Sequence, residues 1–516
     1  MTYIKICYFI VLSLVMTKGL YFLLTIFQQE HYHIHPYTKS FLTFYFKKAY
    51  NYLFYFLIII SLLNNVYLYL LGFFVAILSL LIPNKLIIKL KLTRRIVRLL
   101  LTYLIFIIFL LIISNNLTLV SILYIFNPFI VILINLINTP FEKIIKYQYI
   151  NKAKKKLKQT PSLLKIAITG SYGKTSTKNI ISAILENKFL TVKTPHSYNT
   201  IMGLTKVINK SINQTTEIFV CEMGTSKKGE IAQMTSLIKP QIGIITDVGY
   251  QHISTLKTIE NVLMAKFELL NAISNDNYYI LNGDNELIKK ASSKYQNIIY
   301  YGFNKNNTFN AQNITISKDQ TSFDIYHYDK FVRRIDVKLL GRHNIKNILC
   351  AYALIVLLKD KGYVITDSEF YKYVNQLEAT PHRLSYELVN NIHIYDDAYN
   401  SNLVGFTNSV EVLSKTPLKK VIITPGIVDE GKMTKELNEK VALKIKDVFD
   451  EIYIIDNYSG RYVYNKLSYL NNIHLKSSFR EAYLEVLSKY QNEEIALLIE
   501  NDLPDNYLVR RKKHEK

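Results

Sequence analysis

The chain changes its hydrophobic rhythm once, sharply. From Ile4 to Phe27 it is almost wholly apolar, interrupted by Lys5 and Lys18, and apolar runs return at Leu53–Pro83, Leu99–Ile113 and Leu117–Ile137. Unbroken runs of roughly 20 residues match the hydrocarbon thickness of a bilayer. Residues 1–142 are therefore expected to form a polytopic α-helical transmembrane domain. The first run has no small-residue cleavage site and further runs follow it, so it reads as an anchor rather than a removable signal peptide. Leu53–Pro83 is long for one span and short for two. Either Asn64-Asn65 turns a tight hairpin, or one tilted helix extends into the interface. Beyond residue 160 the pattern becomes short apolar strands alternating with amphipathic helices. It predicts a central doubly wound α/β domain over 160–380 and a second, Rossmann-like α/β unit over 381–516. Strands of the second unit are expected at "KKVIITPG", "EIYIID" and "EIALLIE". Within the first, "NNTFNAQNITISKDQTSFDIYHYDKFVRRIDVKL" alternates with a strand period and reads as an antiparallel insertion.

Charge orients the apolar part. The runs "KLIIKLKLTRRIVR" (Lys85–Arg98) and Lys143–Lys158, which holds "KAKKKLK", are dense in Lys and Arg. By the positive-inside rule both face the cytoplasm. Two spans then fit between them, turning outside at Ser114-Asn115-Asn116, and the rest of the chain follows in the cytoplasm. The net charge of +23 over 516 residues suits nucleic acid, anionic lipid or a phosphorylated substrate, but it also follows from a chain rich in Lys, Ile, Asn and Tyr throughout. Cys7, Cys221 and Cys350 lie far apart, which argues against a disulfide framework and for a reducing compartment. "HYHIH" (His31, His33, His35) would share one strand face, yet no carboxylate or cysteine cluster accompanies it; an interfacial loop is the expectation.

Candidate chemistry begins at "ITGSYGKTSTK" (Ile168–Lys178). A short apolar strand, "LLKIAIT", runs into a loop from Gly170 to Gly173, and Thr175 is expected to begin a helix. Strand, glycine loop, helix is the arrangement that aims backbone N–H groups at phosphate. Gly170, Ser171, Tyr172, Gly173, Lys174, Thr175 and Ser176 are the candidate ATP contacts, with Lys174 on the β and γ phosphates and Thr175 on Mg²⁺. Downstream, "EIFVCEMGTSKKGEI" reads as a strand ending at Cys221-Glu222, and "PQIGIITDVGYQHI" as another ending near His252. Such strands deliver a carboxylate and an imidazole to the carboxyl edge of a parallel sheet, where ligands gather. Glu222 can ligate one Mg²⁺ and His252 a second.

Two residues separate the loop glycines, where the common loop has four. This short form, TGxxGKT(S/T)T, resembles that of the Mur ligase family of ATP-dependent amide-forming enzymes, and later segments keep the family's order. "NVLMAKFELL" resembles its "AK.E" helix. That likeness implies that Lys266, otherwise a solvated helix lysine, reacts with CO₂ to give a carbamate able to hold the second Mg²⁺. "LLGRHNIKNILCAYAL" resembles GxHNxxN and implies that Asn344 meets adenine. "TPHRLSYE" and "IYDDAYNSN" resemble the segments that bring Arg383, Asp397 and Asn400 to ATP, although Leu403 stands where proline is usual. "SYNTIMG" implies a substrate contact at Asn199.

The resemblance covers roughly residues 160–516. It implies an ATP-dependent acid–amino-acid ligase working through an acyl phosphate, with Lys174, Lys266, His252 and Glu222 as its catalytic set. Within the family the spacing is nearest to the branch that adds a dipeptide to a UDP-linked cell-wall precursor. The expected partners are ATP, two Mg²⁺ ions, a carboxylate-bearing glycopeptide, an amine donor and the lipid bilayer, with no nucleic acid; the oligomeric state is left open. Two departures bear on the acceptor. The family's UDP-binding N-terminal domain is replaced by the apolar segment, and "LLIENDLPDNY" occupies the place of its "KGSR"-type segment. The alternatives are a ligase of another lipid-linked or polymeric acid, and a membrane transporter or sensor with a nucleotide-binding domain. The last calls for polar groups within the spans, where the charged residues are Lys5 and Lys18, beside a few asparagines and hydroxyl residues.

Overall fold

The computed structural model describes residues 2–45, 66–81, 89–114, 118–195, 198–251, 253–273, 277–317, 319–399, 402–428 and 433–501. They fall into two compact units, Met1–Tyr147 and Gln148–Leu503.

The first unit is helical among the described residues: α1 (Thr2–Gln29), α2 (Ile34–Tyr45), α3 (Val66–Leu81), α4 (Arg94–Ser114) and most of α5 (Thr118–Lys158). Tyr8, Leu12, Leu23, Phe27, Tyr37, Ile96 and Ile130 belong to its core. Polar pairs join α4 to α5. Arg98 Nη2 lies 2.6 Å from Glu142 Oε1, and the Tyr103 hydroxyl donates to Asn127 Oδ1 at 3.0 Å. Two stretches, Ile6–Gln29 and Phe126–Lys158, are long and apolar enough to cross a membrane by length and composition. His31 and His33 lie in the turn after α1 and His35 in α2, so the three do not share a strand face. Of the Leu53–Pro83 run, only the residues of α3 are described, and Asn115-Asn116 lie outside the described residues.

The basic run Lys143–Lys158 is helical. It forms the last turns of α5, and Ala153 is fully buried in a core of the second unit with Leu163 and Leu204. Local charge says nothing of which face a helix buries, and that face is what the packing of Ala153 reveals.

The second unit holds two sheets. The first has nine strands in the order β2-β3-β1-β4-β5-β6-β7-β8-β9. These are β1 (Leu164–Thr169), β2 (Thr191–Lys193), β3 (Ile218–Glu222), β4 (Ile242–Ile245), β5 (Tyr278–Asn282), β6 (Ile298–Gly302), β7 (Phe309–Ile316), β8 (Thr321–His327) and β9 (Lys330–Val337). Pairing is parallel from β2 through β7, and β7-β8-β9 form the antiparallel extension expected from the alternating segment. The inner strands are apolar on both faces because both are covered. Leu164, Ile166 and Ile168 enter one core with α6 (Lys174–Leu185) and α12 (Arg342–Lys359). Ala167, Phe219 and Cys221 enter the other, with α7 (Ile201–Ser211), α8 (Glu230–Ile238) and α10 (Ile259–Asn271). Three further helices complete this part: α9 (Ile253–Leu256), α11 (Glu286–Ser292) and α13 (Asp367–Asn375).

The second sheet runs β10-β11-β15-β12-β13-β14. Its strands are β10 (Ser385–Val389), β11 (Ile392–Asp397), β12 (Lys419–Thr424), β13 (Glu451–Ile455), β14 (Ile473–Lys476) and β15 (Ile495–Glu500), flanked by α14 (Leu403–Ser414), α15 (Thr434–Ile445), α16 (Tyr458–Leu467) and α17 (Phe479–Lys489). Leu340, just before α12, and Leu384, just before β10, are buried in this sheet's core with Ile422 and Leu498.

Candidate functional site

The first sheet reverses direction around β1. The chain passes from β1 outward to β2, returns to β3, then crosses to β4 on the other side. Ligands of open α/β sheets bind beyond the carboxyl ends of strands at such a switch. Register brings the strand ends level there: Ile168 pairs with Glu222, and Thr169 with Ile245.

The loop after β1 depends on its glycines. Gly170 has φ +149°, and a Cβ on it would lie 2.1 Å from Thr246 Oγ1. Gly173 has φ +79° and caps α6, which therefore starts at Lys174, one residue before the expected Thr175. The segment after β4 wraps the loop. Ser171 N donates to the Asp247 carbonyl at 2.7 Å, and Gly249 N donates to Ser171 Oγ at 3.0 Å. Tyr172 lies against Gly249, where a Cβ would come within 2.5 Å of its ring. Ser176 sits in the first turn of α6.

Lys174 folds back on this loop and donates to the carbonyls of Gly170 at 2.6 Å and Ser171 at 3.1 Å. Burial lowers its ammonium to about 8, with Glu222 opposing the shift and Arg383 adding to it. The lysine thus stands in the field of both a carboxylate from β3 and a guanidinium near the second sheet. Arg383 stacks 4.2 Å over the Tyr399 ring, and burial lowers its pKa against the pull of Asp397, Tyr399 and Glu222. Asp397 ends β11 and accepts from Ser409 Oγ at 2.7 Å.

Glu222 is the hub. It is 1% exposed, and its Oε2 accepts from Thr175 Oγ1 at 2.9 Å and from Lys178 Nζ at 3.3 Å. Its Oε1 accepts from Asn199 Nδ2 at 3.1 Å. A Cβ on Gly224 would lie 2.7 Å from Asn199 Cγ, so the glycine after β3 makes room for that side chain. A hydroxyl and a carboxylate oxygen at this spacing are the donors a hard divalent cation prefers.

Lys266 lies on α10, 1% exposed. Among the described residues its Nζ has no hydrogen-bond or ion-pair partner. Burial pushes its pKa well down, Lys174 adds to the shift, and Glu230, Glu222 and Glu268 oppose it. Glu268, two residues on, accepts from Gly229 N at 2.6 Å and Ala232 N at 3.0 Å, which ties α10 to the start of α8. A buried amine held towards its neutral form can act as a nucleophile.

The strand expected to reach His252 ends at Ile245, because Thr246–Gly249 turn over the phosphate loop; His252 and Asn400 lie outside the described residues. Asn344 is buried, with Nδ2 donating to the Leu340 carbonyl at 2.9 Å and Oδ1 accepting from Asn347 at 3.2 Å. Asn347 Oδ1 in turn accepts from Thr177 Oγ1 at 2.9 Å, so this chain of amides ties α12 to α6. Sequence reasoning passed over Lys178 and Thr246, and took Asn347 only as part of the GxHNxxN likeness. Lys178 was accessible to it, lying three residues after Thr175 and so on the same helix face; the other two depend on contacts between distant segments.

These features define a phosphate-loop α/β protein with a second α/β sheet whose residues approach the loop lysine. Residues 168–355 match the Mur ligase middle domain. It is similar to the UDP-N-acetylmuramoyl-tripeptide–D-alanyl-D-alanine ligase of Bacillus subtilis, 28% identical over 294 residues, 56% of this chain and 62% of the relative. The enzyme of the same name from Rickettsia prowazekii is 26% identical over 340 residues, 64% of this chain and 72% of that one. The chain thus spans less than two thirds of the Bacillus relative. Among solved structures, the MurF ligase from Thermotoga maritima in complex with ADP has the same fold. Its TM-score is 0.63 at 22% identity, covering 69% of this chain and 80% of that one.

Proposed function

We propose that this chain is a membrane-anchored, ATP-dependent amide ligase that acts through an acyl phosphate in the synthesis of peptidoglycan precursors. The observation that carries the reading is the convergence on Glu222 of Thr175 and Asn199, with a buried Lys266 in the field of the same carboxylate. The substrates are ATP, a UDP-N-acetylmuramoyl-peptide or a close analogue, and an amine donor such as D-alanyl-D-alanine, in keeping with the relatives' names.

Lys174 exchanges its carbonyl contacts for the β and γ phosphates. The backbone around Gly170–Gly173 cradles them, and Asn344, Arg383, Asp397 and Asn400 hold the rest of ATP. Thr175 and Glu222 would hold one Mg²⁺, and His252 with a modified Lys266 a second; the ions neutralise charge on the transferring phosphoryl group. The Lys266 modification balances simply: neutral Nζ attacks the carbon of CO₂, a C–N bond forms, and one proton leaves to solvent. The substrate carboxylate oxygen then attacks the γ-phosphorus while the bond to ADP breaks. The amine attacks the acyl carbon and phosphate leaves, its extra proton passing to solvent. Charge stabilisation by fixed groups dominates such transfers.

The candidate spans Ile6–Gln29 and Phe126–Lys158 support the anchor, and the basic segments beside them support a multi-pass topology with the catalytic domains cytoplasmic. They also favour a second reading, in which the acid is lipid-linked. The test is ATP turnover by the full-length protein in detergent with UDP-linked or lipid-linked muropeptide and D-alanyl-D-alanine. Amide should form in step with ADP, and Lys174→Ala should abolish both. Phosphate release without amide for every acid–amine pair overturns the proposal.

A further inference from the structure

Glu222 is held by more than its expected partners. Lys178 is fully buried on α6, and its ammonium lies 3.3 Å from Glu222 Oε2, the same oxygen that accepts from Thr175. Thr175 and Lys178 are three residues apart, so both project from one helix face onto one carboxylate oxygen. With Asn199 on Oε1, each carboxylate oxygen is engaged and the rotamer of Glu222 is set. A buried carboxylate of this kind is costly unless paired, and Lys178 supplies the nearest compensating charge.

We propose that Lys178 is a positioning residue for the divalent cation: it holds Glu222 in the geometry the cation requires and so sets the Mg²⁺ concentration at which the site fills. The inference rests on the reading of Thr175 and Glu222 as oxygen donors. Lys178 is assigned its effect through Glu222, whose Oε2 its ammonium approaches. When a cation takes Oε2 and the Thr175 hydroxyl, the Asn199 and Lys178 contacts remain to keep the carboxylate in place. A purely structural pair would affect folding alone, whereas outer-shell partners of a metal-binding carboxylate govern affinity.

The test uses full-length protein in detergent and a fluorescent ADP analogue titrated with Mg²⁺, comparing wild type with Lys178→Met, Lys178→Gln and Lys178→Arg. Met and Gln should raise the Mg²⁺ midpoint about tenfold or more, while binding in Mg²⁺-free buffer changes less than about twofold. Arg, which keeps the charge, should recover most of the shift. Should Met fail to fold, Gln carries the comparison, with unfolding temperatures as the check. Wild-type Mg²⁺ midpoints in the folded neutral variants overturn the inference, as does an Arg variant as impaired as Met, which would leave packing as the cause. If wild type itself shows no Mg²⁺-dependent nucleotide binding, the donor assignment fails instead.

Discussion

Gly170→Ala is the sharpest probe of the phosphate loop. The added methyl would sit 2.1 Å from Thr246 Oγ1 and 2.9 Å from Asp247 N, on a backbone with φ +149°. Thr246 cannot simply turn away, because its hydroxyl donates to the carbonyls of Thr169 and Tyr172. Forcing alanine into that backbone region costs about 1–3 kcal/mol. Displacing the Thr246 hydroxyl adds about 1 kcal/mol. The sum, about 2–4 kcal/mol, corresponds to a loss of about 30- to 700-fold in nucleotide affinity if the ligand-free loop relaxes and must be restored on binding. If the loop does not relax, the same energy lowers the unfolding temperature. The assay is titration with a fluorescent ADP analogue, alongside thermal unfolding with and without Mg-ADP. Adding Thr246→Ala to Gly170→Ala removes the 2.1 Å contact but not the backbone strain, so it should recover only part of the loss. A Gly170→Ala protein with both affinity and unfolding temperature unchanged would refute the steric account.

Two further outcomes follow from buried and bridging charges. Lys266→Ala should be inactive in the amide-forming assay and partly restored by acetate, which can supply the lost carboxylate oxygens; full activity without acetate would end the carbamate reading. Glu369, in the capping box of α13, accepts from Lys188 and from Thr366 N, and these bonds bring its pKa down to about 2 from an ordinary 4.5. A carboxylate depressed in the folded state contributes stability that is complete above its unfolded value and lost as pH falls through the folded one. Glu369→Gln should therefore lower the unfolding temperature at pH 7 and flatten its decline between pH 4.5 and about 2, measured by calorimetry on the same buffers. An unchanged acid limb would show that the Lys188 bridge carries no stability.

The order of elements was legible in the sequence because it rests on short-range physics. Apolar runs, strands apolar on both faces and the glycine loop before α6 are set within a few residues by hydrophobic burial and backbone sterics. The same locality hides what distant contacts decide. The basic density of Lys143–Lys158 does not show the face bearing Ala153, which packs in a core of the second unit. The apolar run leading towards His252 did not reveal that β4 stops at Ile245 so that Thr246 can close over Tyr172.

What the sequence by itself determined is the set of chemical groups and the elements that carry them: a loop lysine, a strand-end carboxylate, a helix lysine. Only the tertiary structure decided which groups meet. Asn199, Lys178 and Thr175 converge on Glu222 because β3 lies beside β1 with Glu222 level with Ile168, a register with no local signature. Arg383 enters the field of Lys174 from more than two hundred residues away, through the packing that buries Leu340 and Leu384 in the second sheet's core. Pairing between distant segments is fixed by strand order and burial of whole faces, and those are properties of the assembled molecule rather than of any window of the chain.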